Sequence, residues 1–246
     1  MRIAVVADIH GNFAALEAVI GDIRRHSPDL VVNLGDSLSG PLDAGLVADR
    51  LMDLDWLTIT SNHDRQMATL LPDAMGPSDR AAYDQLQPRH LAWLRGLKSR
   101  EVVAQEITLF HGTPDSDNAY LLEVVVNTAI QPAAPGVVAA RLREVTTAMV
   151  LCAHSHTPRI MRLANGQIAF NPGSIGVQAY RYDIPAPHRV EIGSPHARYG
   201  LIENTRSGWS FAHFAVPYDW DKASRRARDA GRADWAFALR HGFVES

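Results

Sequence analysis

A single cysteine, Cys152, stands in 246 residues, so the chain can form no internal disulfide and no cysteine-based zinc cage. Long apolar runs are missing too. None approaches the roughly 18–20 residues a membrane span needs. The opening run Ile3-Ala4-Val5-Val6-Ala7 stops at Asp8, short of the about 7–15 apolar residues of a signal-peptide core. There is no excess of positive charge: 24 Lys and Arg face 27 Asp and Glu, for a net charge of −3. Nothing global then attracts nucleic acid or an anionic membrane. Linkers of Gly and Ser, charge blocks and internal repeats are also lacking. The expectation is one soluble, cytoplasmic domain over 1–246, with a helical tail over about 218–246. What the chain has in quantity is histidine, eleven in all.

The first two-thirds alternates short β-branched runs with helical patterns. Residues 2–7 read as a strand buried on both faces. Asn12 is placed to cap a helix with Phe13, Leu16, Ile20 and Ile23 on its apolar side, and Pro28 stops it. Leu30–Leu34 gives a second strand, an amphipathic stretch follows over about 43–54, and Trp56–Thr60 gives a third strand. This alternation predicts parallel βαβ units. Helical stretches follow over about 63–71 and 79–97. Later runs at 102–110, 148–152, 158–163, 167–170 and 199–214 have shorter connections, with Asn165-Gly166 and Ser207-Gly208 as turns. Asp221–Arg240 reads as helix. Two packed sheets with helices outside are expected.

Each buried run ends in polar side chains: Asp8-Ile9-His10, Gly35-Asp36, Ser61-Asn62-His63-Asp64, His111-Gly112 and His154-Ser155-His156. Ligands of parallel α/β sheets bind just beyond the carboxyl ends of strands. Residues i and i+2 of an extended segment face the same way, so Asp8 with His10, and His154 with His156, can each serve one cavity. Any one of these blocks alone reads as a cap, a turn or a surface pair. Five at successive strand ends point to one site. Leaving His63 aside, the set is two carboxylates, one amide and four imidazoles, which suits Mn²⁺, Fe²⁺ or Zn²⁺. Seven candidates exceed the needs of one ion and suit two ions sharing Asp36. His26, His90, His188, His196, His213 and His241 lack such spacing and read as surface residues. Cys152, inside an apolar run, reads as a buried inert thiol.

In this order the blocks resemble the calcineurin-like metallophosphoesterase superfamily, and Phe110–Pro114 and Asn171–Gly176 resemble its small bacterial and archaeal phosphodiesterase branch. The resemblance covers about residues 1–215. Ser61 and Ala153 stand where the pattern has glycine. It implies a four-layer α/β/β/α sandwich and a binuclear centre. One metal would take Asp8, His10, Asp36 and His156, the other Asp36, Asn62, His111 and His154. Manganese is the expected metal, with iron, zinc or nickel as alternatives. A hydroxide would attack phosphorus, with His63 near the scissile oxygens as acid or electrostatic stabiliser. The expected function is hydrolysis of phosphodiester bonds in small, nucleotide-like substrates. Dinucleoside polyphosphates or phosphomonoesters are the alternative substrates. Asp36 is followed by Ser37-Leu38-Ser39-Gly40-Pro41, without the arginine of the family's protein phosphatases. A non-catalytic scaffold of this fold lacks the catalytic histidine, and His63 is present here. Substrate contacts are expected in the irregular stretches 113–136 and 176–198, from Tyr180, Arg181 and Arg198, with Asn118, Tyr182 and His196 as further candidates. The expected partner is a small phosphoester. No membrane and no nucleic acid are expected, and a homo-oligomer is compatible with the sequence.

Overall fold

The computed structural model describes residues 1–245. The chain opens with β1 (Arg2–Val6), α1 (Phe13–His26), β2 (Leu30–Asn33), α2 (Ala44–Leu54) and β3 (Leu57–Thr58). Three short helices follow, α3 (Asn62–Thr69), α4 (Pro77–Tyr83) and α5 (Pro88–Gly96). Then come β4 (Arg100–Val103), β5 (Ile107–Phe110), β6 (Glu123–Val126), β7 (Ala129–Pro132), α6 (Pro135–Arg141) and β8 (Met149–Leu151). The last part holds β9 (Arg159–Arg162), β10 (Ile168–Asn171), β11 (Ala179–Tyr182), β12 (His188–Glu191), β13 (Ala197–Thr205), β14 (Gly208–Val216), α7 (Trp220–Asp229) and α8 (Ala233–His241). No helix among the described residues is long and apolar enough to cross a membrane.

The first sheet runs β14-β13-β1-β2-β3 and the second β4-β5-β8-β10-β9. Their centres are parallel, β1 with β2 and β5 with β8; antiparallel strands close both edges of the second sheet and the β14 edge of the first, whose other edge strand, β3, is parallel to β2. The pleat explains the layers. Alternate residues of β1 face opposite ways: Ile3, Val5 and Ala7 join Leu109, Met149, Leu151 and Phe170 of the second sheet in one core. Ala4 and Val6 face Leu16, Val19, Val47 and Leu51 of α1 and α2. The outer face of the second sheet, Phe110, Val150 and Ala169, is covered by Val138 of α6 and by Leu142. The four layers are therefore helix, sheet, sheet, helix, as the resemblance implies. Asn12 caps α1, its Oδ1 accepting from the Ala15 amide at 3.2 Å. Arg24, Arg25 and His26 occupy the last turn, where cations oppose the helix dipole.

Four expectations need correction. The stretches 113–136 and 176–198 are not simply irregular: they contribute a third sheet, β11-β12-β7-β6. The run 102–110 is a hairpin, broken where Ala104 and Gln105 take left-handed backbone. The tail is a helix pair and not one helix, with Gly231 at φ 75° in the break. His90 and His188 are not surface residues but 1% and 5% exposed. Each is bonded, His90 to Asp49 at 2.6 Å and His188 to Tyr120 at 2.7 Å.

Candidate metal centre

The end of each central strand delivers its polar block into the seam between the two large sheets. Asp8 and His10 follow β1, Asp36 follows β2, and Asn62 opens α3. His111 follows β5, and His154 and His156 follow β8. All seven side chains are buried. The loops that carry them are bent to do so. Asp8, His10, Asp36, His154 and His156 all have positive φ, between 52° and 67°. Left-handed backbone is costly for a residue with a Cβ, of order 1–3 kcal/mol each, and persists where surrounding structure over-determines it. Here that structure is visible. The His10 amide bonds the Asp36 carbonyl at 3.0 Å, and the Ala153 amide bonds the His111 carbonyl at 2.7 Å. Ser61, where the family pattern has glycine, is extended at φ −123° and caps α3 through its side chain, so the change brings no strain. Ala153 is not among the left-handed residues either.

The segment 171–176 brackets these loops. Asn171 Nδ2 bonds the Ala153 carbonyl at 3.1 Å, and Ser174 Oγ bonds the Asp8 carbonyl at 2.9 Å. The Gly176 amide reaches the same Asp8 carbonyl at 2.8 Å. A Cβ on Gly176 would lie 2.0 Å from the Ile9 carbonyl oxygen. Gly176→Ala is thus expected to cost about 3 kcal/mol, the upper end of overpacking penalties. An unchanged urea midpoint at constant m value would show that the bracket yields freely.

Two groups of donors form. In each, the donor atoms lie within 4.8 Å of one another: Asp8, His10 and His156, and beside them Asp36, His111 and His154. Asp36 Oδ2 is 3.3 Å from His111 Nε2 and 4.0 Å from His10 Nε2, so it touches both. The far ring nitrogens of three histidines are tied to backbone. Nδ1 of His10, His111 and His156 donates to the carbonyls of Ser39, Leu34 and Val177, each at 2.8 Å. That bond turns Nε2 into the group, the usual way a protein orients an imidazole toward a cation. His10 Nε2 and His156 Nε2 stand 3.1 Å apart. Burial holds His10 down to about 4 and His156 well below the ordinary imidazole range, so two lone pairs face each other. Burial likewise takes His154 to about 3. Both oxygens of Asp8, Asn62 Oδ1, His111 Nε2 and His154 Nε2 are buried with no hydrogen-bond partner. Unpaired buried polar atoms of this kind are expensive, and those of Asp8, Asn62 and His154 are acceptors that a cation would meet; His111, which burial would lower but Asp36 raises to about 9, must give up a proton to join them. The donor set fits divalent ions.

His63, 28% exposed, stands at the rim. Its Nδ1 donates to Asp79 Oδ1 at 2.7 Å, and Ser39 Oγ donates to the same oxygen at 2.6 Å. Burial presses the His63 imidazole toward its neutral form, but the charge of Asp36 and the bond to Asp79 outweigh it and raise the pKa to about 9. Asp36, which burial alone would raise, is held well below the carboxylate range by His111 and His63. His63 thus presents a protonated Nε2.

A cavity of about 480 Å³ opens from His10, Asp36, His63, His154 and His156. Tyr180 and Arg181 line it, as does Tyr182; Arg198 does not, its Nη2 bonding Ser194 Oγ at 2.7 Å. Tyr180 also donates to the His154 carbonyl at 2.9 Å, so the third sheet braces a donor loop. Sequence reasoning missed Asp79, because a lone aspartate in a short helix carries no motif. It also missed Trp235, Arg232 and Asp234 in the cavity wall. Their only signal was a tail that reads as helix.

A sandwich that gathers oxygen and nitrogen donors where its strands end has the build of a phosphoester hydrolase. Residues 1–184 match the family model of the calcineurin-like phosphoesterase superfamily domain, and the chain belongs to that superfamily. It shares its fold with a metallophosphoesterase from Sphaerobacter thermophilus, at TM-score 0.76 and 22% identity over 98% of this chain and 99% of that one. A hypothetical protein from Pyrococcus horikoshii is similar, at TM-score 0.74 and 20% identity over 99% of both chains. An uncharacterized protein of Methanocaldococcus jannaschii is 36% identical over 62 residues, 25% of this chain and 26% of that protein. The chain thus spans about a quarter of that relative's length.

Proposed function

We propose that the chain is a binuclear metal-dependent phosphodiesterase acting on small phosphoesters. Asp8, His10, Asp36 and His156 would hold one divalent ion, and Asp36, Asn62, His111 and His154 the second, with Mn²⁺ as the preferred metal. The observation that carries the proposal is the convergence of unpartnered donor atoms from Asp8, Asn62, His111 and His154 beside the opposed lone pairs of His10 and His156. Two bound dications supply Lewis acidity at phosphoryl oxygens and acidify water. The protein's own part is positioning and proton handling. His63 holds a proton where a leaving ester oxygen would sit, and Asp79 fixes the ring that carries it.

The substrate's charge follows from what surrounds the donors. The two arginines of the cavity are already engaged. Arg232 is paired with Asp234 at 2.7 Å, and Arg181 Nη2 bonds the Glu245 carbonyl at 2.6 Å. Among the described residues of the cavity only Arg181 keeps a guanidinium unpaired with a carboxylate, and it is tied to a backbone carbonyl, so a singly charged diester loses least. With Mn²⁺ supplied, kcat/KM for bis-p-nitrophenyl phosphate is expected to exceed that for p-nitrophenyl phosphate. A clear preference for the monoester in steady-state kinetics would replace the diester reading with a phosphomonoesterase.

A further inference from the structure

The cavity is larger than a phosphoryl group requires, and the wall beside His10 and His156 is not built for phosphate. Val177, Ala179, Ala238 and Val244 make it apolar, and the half-buried ring of Trp235 stands among them. At about 480 Å³ the space lies within the range of sites that enclose a drug-sized organic group. Trp235 and Ala238 belong to α8, beyond the residues that match the superfamily. Val177 and Ala179, by contrast, lie within the matched residues, so the wall joins the superfamily domain to the C-terminal helix pair.

The ring of Trp235 is held in place. It packs T-shaped against His10, with ring centroids 5.8 Å apart and planes at 75°. Gly40 lies against it: a Cβ there would come 2.9 Å from Trp235 Cη2. The Arg232 guanidinium lies over the ring at 5.7 Å from its centroid. Arg232 is itself pinned by Asp234, at 2.9 Å from Nε and 2.7 Å from Nη2, and by Ser78 at 3.0 Å from Nη1. Arg232 covers one face of the ring, and a flexible alkyl group would use the apolar lining but gain nothing from the π-system of the other. A planar heteroaromatic group would gain by stacking on that other face.

We infer that Trp235, backed on one face by Arg232, offers its other face as a stacking subsite for a planar heteroaromatic substituent of the substrate, of the nucleobase class, next to the phosphoryl position. The inference rests on the phosphoesterase reading for the placement of the phosphoryl group. Trp235 sits one ring away from His10, so a base linked to phosphate through one sugar spans the two positions.

The test compares ligands that differ only in the base. Adenosine 5′-monophosphate and ribose 5-phosphate share the sugar and the phosphate. Calorimetry on the full chain with Mn²⁺ is expected to give at least about 10-fold tighter binding of the nucleotide, the scale of base–aromatic stacking. In Trp235→Leu, which keeps apolar bulk without a π-face, the ratio should fall to within about threefold of one. In Trp235→Phe most of it should remain. Hexyl phosphate should bind more weakly than the nucleotide. Equal affinity for nucleotide and ribose 5-phosphate in the unaltered protein would overturn the subsite, and so would a ratio that survives in Trp235→Leu. Hexyl phosphate matching the nucleotide would replace the planar class by a merely apolar one. Turnover of bis-p-nitrophenyl phosphate, measured alongside, reads the phosphoesterase proposal separately. A base preference without turnover sinks that proposal and leaves the subsite standing.

Discussion

Replacing His63 by alanine is expected to leave the metal content unchanged and to lower kcat by about 10²–10⁴, the usual contribution of a general acid. The expectation comes from position. His63 lines the cavity but lies outside both donor groups. Its Nδ1 is committed to Asp79, which leaves Nε2 as the one nitrogen able to donate a proton. Asp79 is buried and holds that ring as well as the Ser39 hydroxyl, and Asp79→Asn, which keeps an acceptor for both, should lower kcat about 10-fold with metal content intact. The two changes should not add: in the double variant, loss of Asp79 should matter little once the ring is gone. Metal analysis with single-turnover kinetics decides. A His63→Ala protein that loses metal but keeps full turnover per bound metal would show that the residue holds the centre together and does no proton chemistry.

The second large effect is expected at Asp36. Asp36→Asn should drop metal content from about two ions per chain to below one, with activity falling in proportion or further. Asp36 lies within 4.0 Å of histidine nitrogens from both donor groups, as Asp8 does, and it follows the strand next to the one that carries Asp8. It also accepts from the His63 amide at 3.3 Å, so it joins the donor groups to the loop that carries the acid. An amide of the same shape keeps the packing but removes the negative charge that offsets repulsion between two dications. Elemental analysis showing full two-ion occupancy in this variant would end the bridging role.

Much of the centre was legible in the sequence because the physics there is local and periodic. A strand buried on both faces is mostly apolar until it ends, with Asn33 and Thr108 as buried exceptions, so Asp8, Asp36, His111 and His154 stand out as chemically rich residues just beyond each run. The two central sheets followed from the same runs. What stayed hidden depends on distant contacts. The third sheet is built from four-residue strands of mixed polarity, such as Ala179–Tyr182, where no alternation long enough to read exists. Its role in bracing His154 through Tyr180 appears only when the fold is closed. His90 and His188 are buried because Asp49 and Tyr120 satisfy them, and those partners are 41 and 68 residues away. Asp79 and Trp235 were invisible for the same reason: each matters through a neighbour brought in by tertiary packing.

The seam between the two sheets has a mechanical consequence. Each donor group straddles it. Asp8 and His10 from the first sheet meet His156 from the second, and Asp36 from the first meets His111 and His154 from the second. A cation seated in either group is a rivet through both plates of the sandwich. Any state in which the sheets part, during folding or local opening, must pull out the rivets, and any ion bound only to the closed form resists that parting by mass action. Cation affinity and sheet docking then become two readings of a single equilibrium.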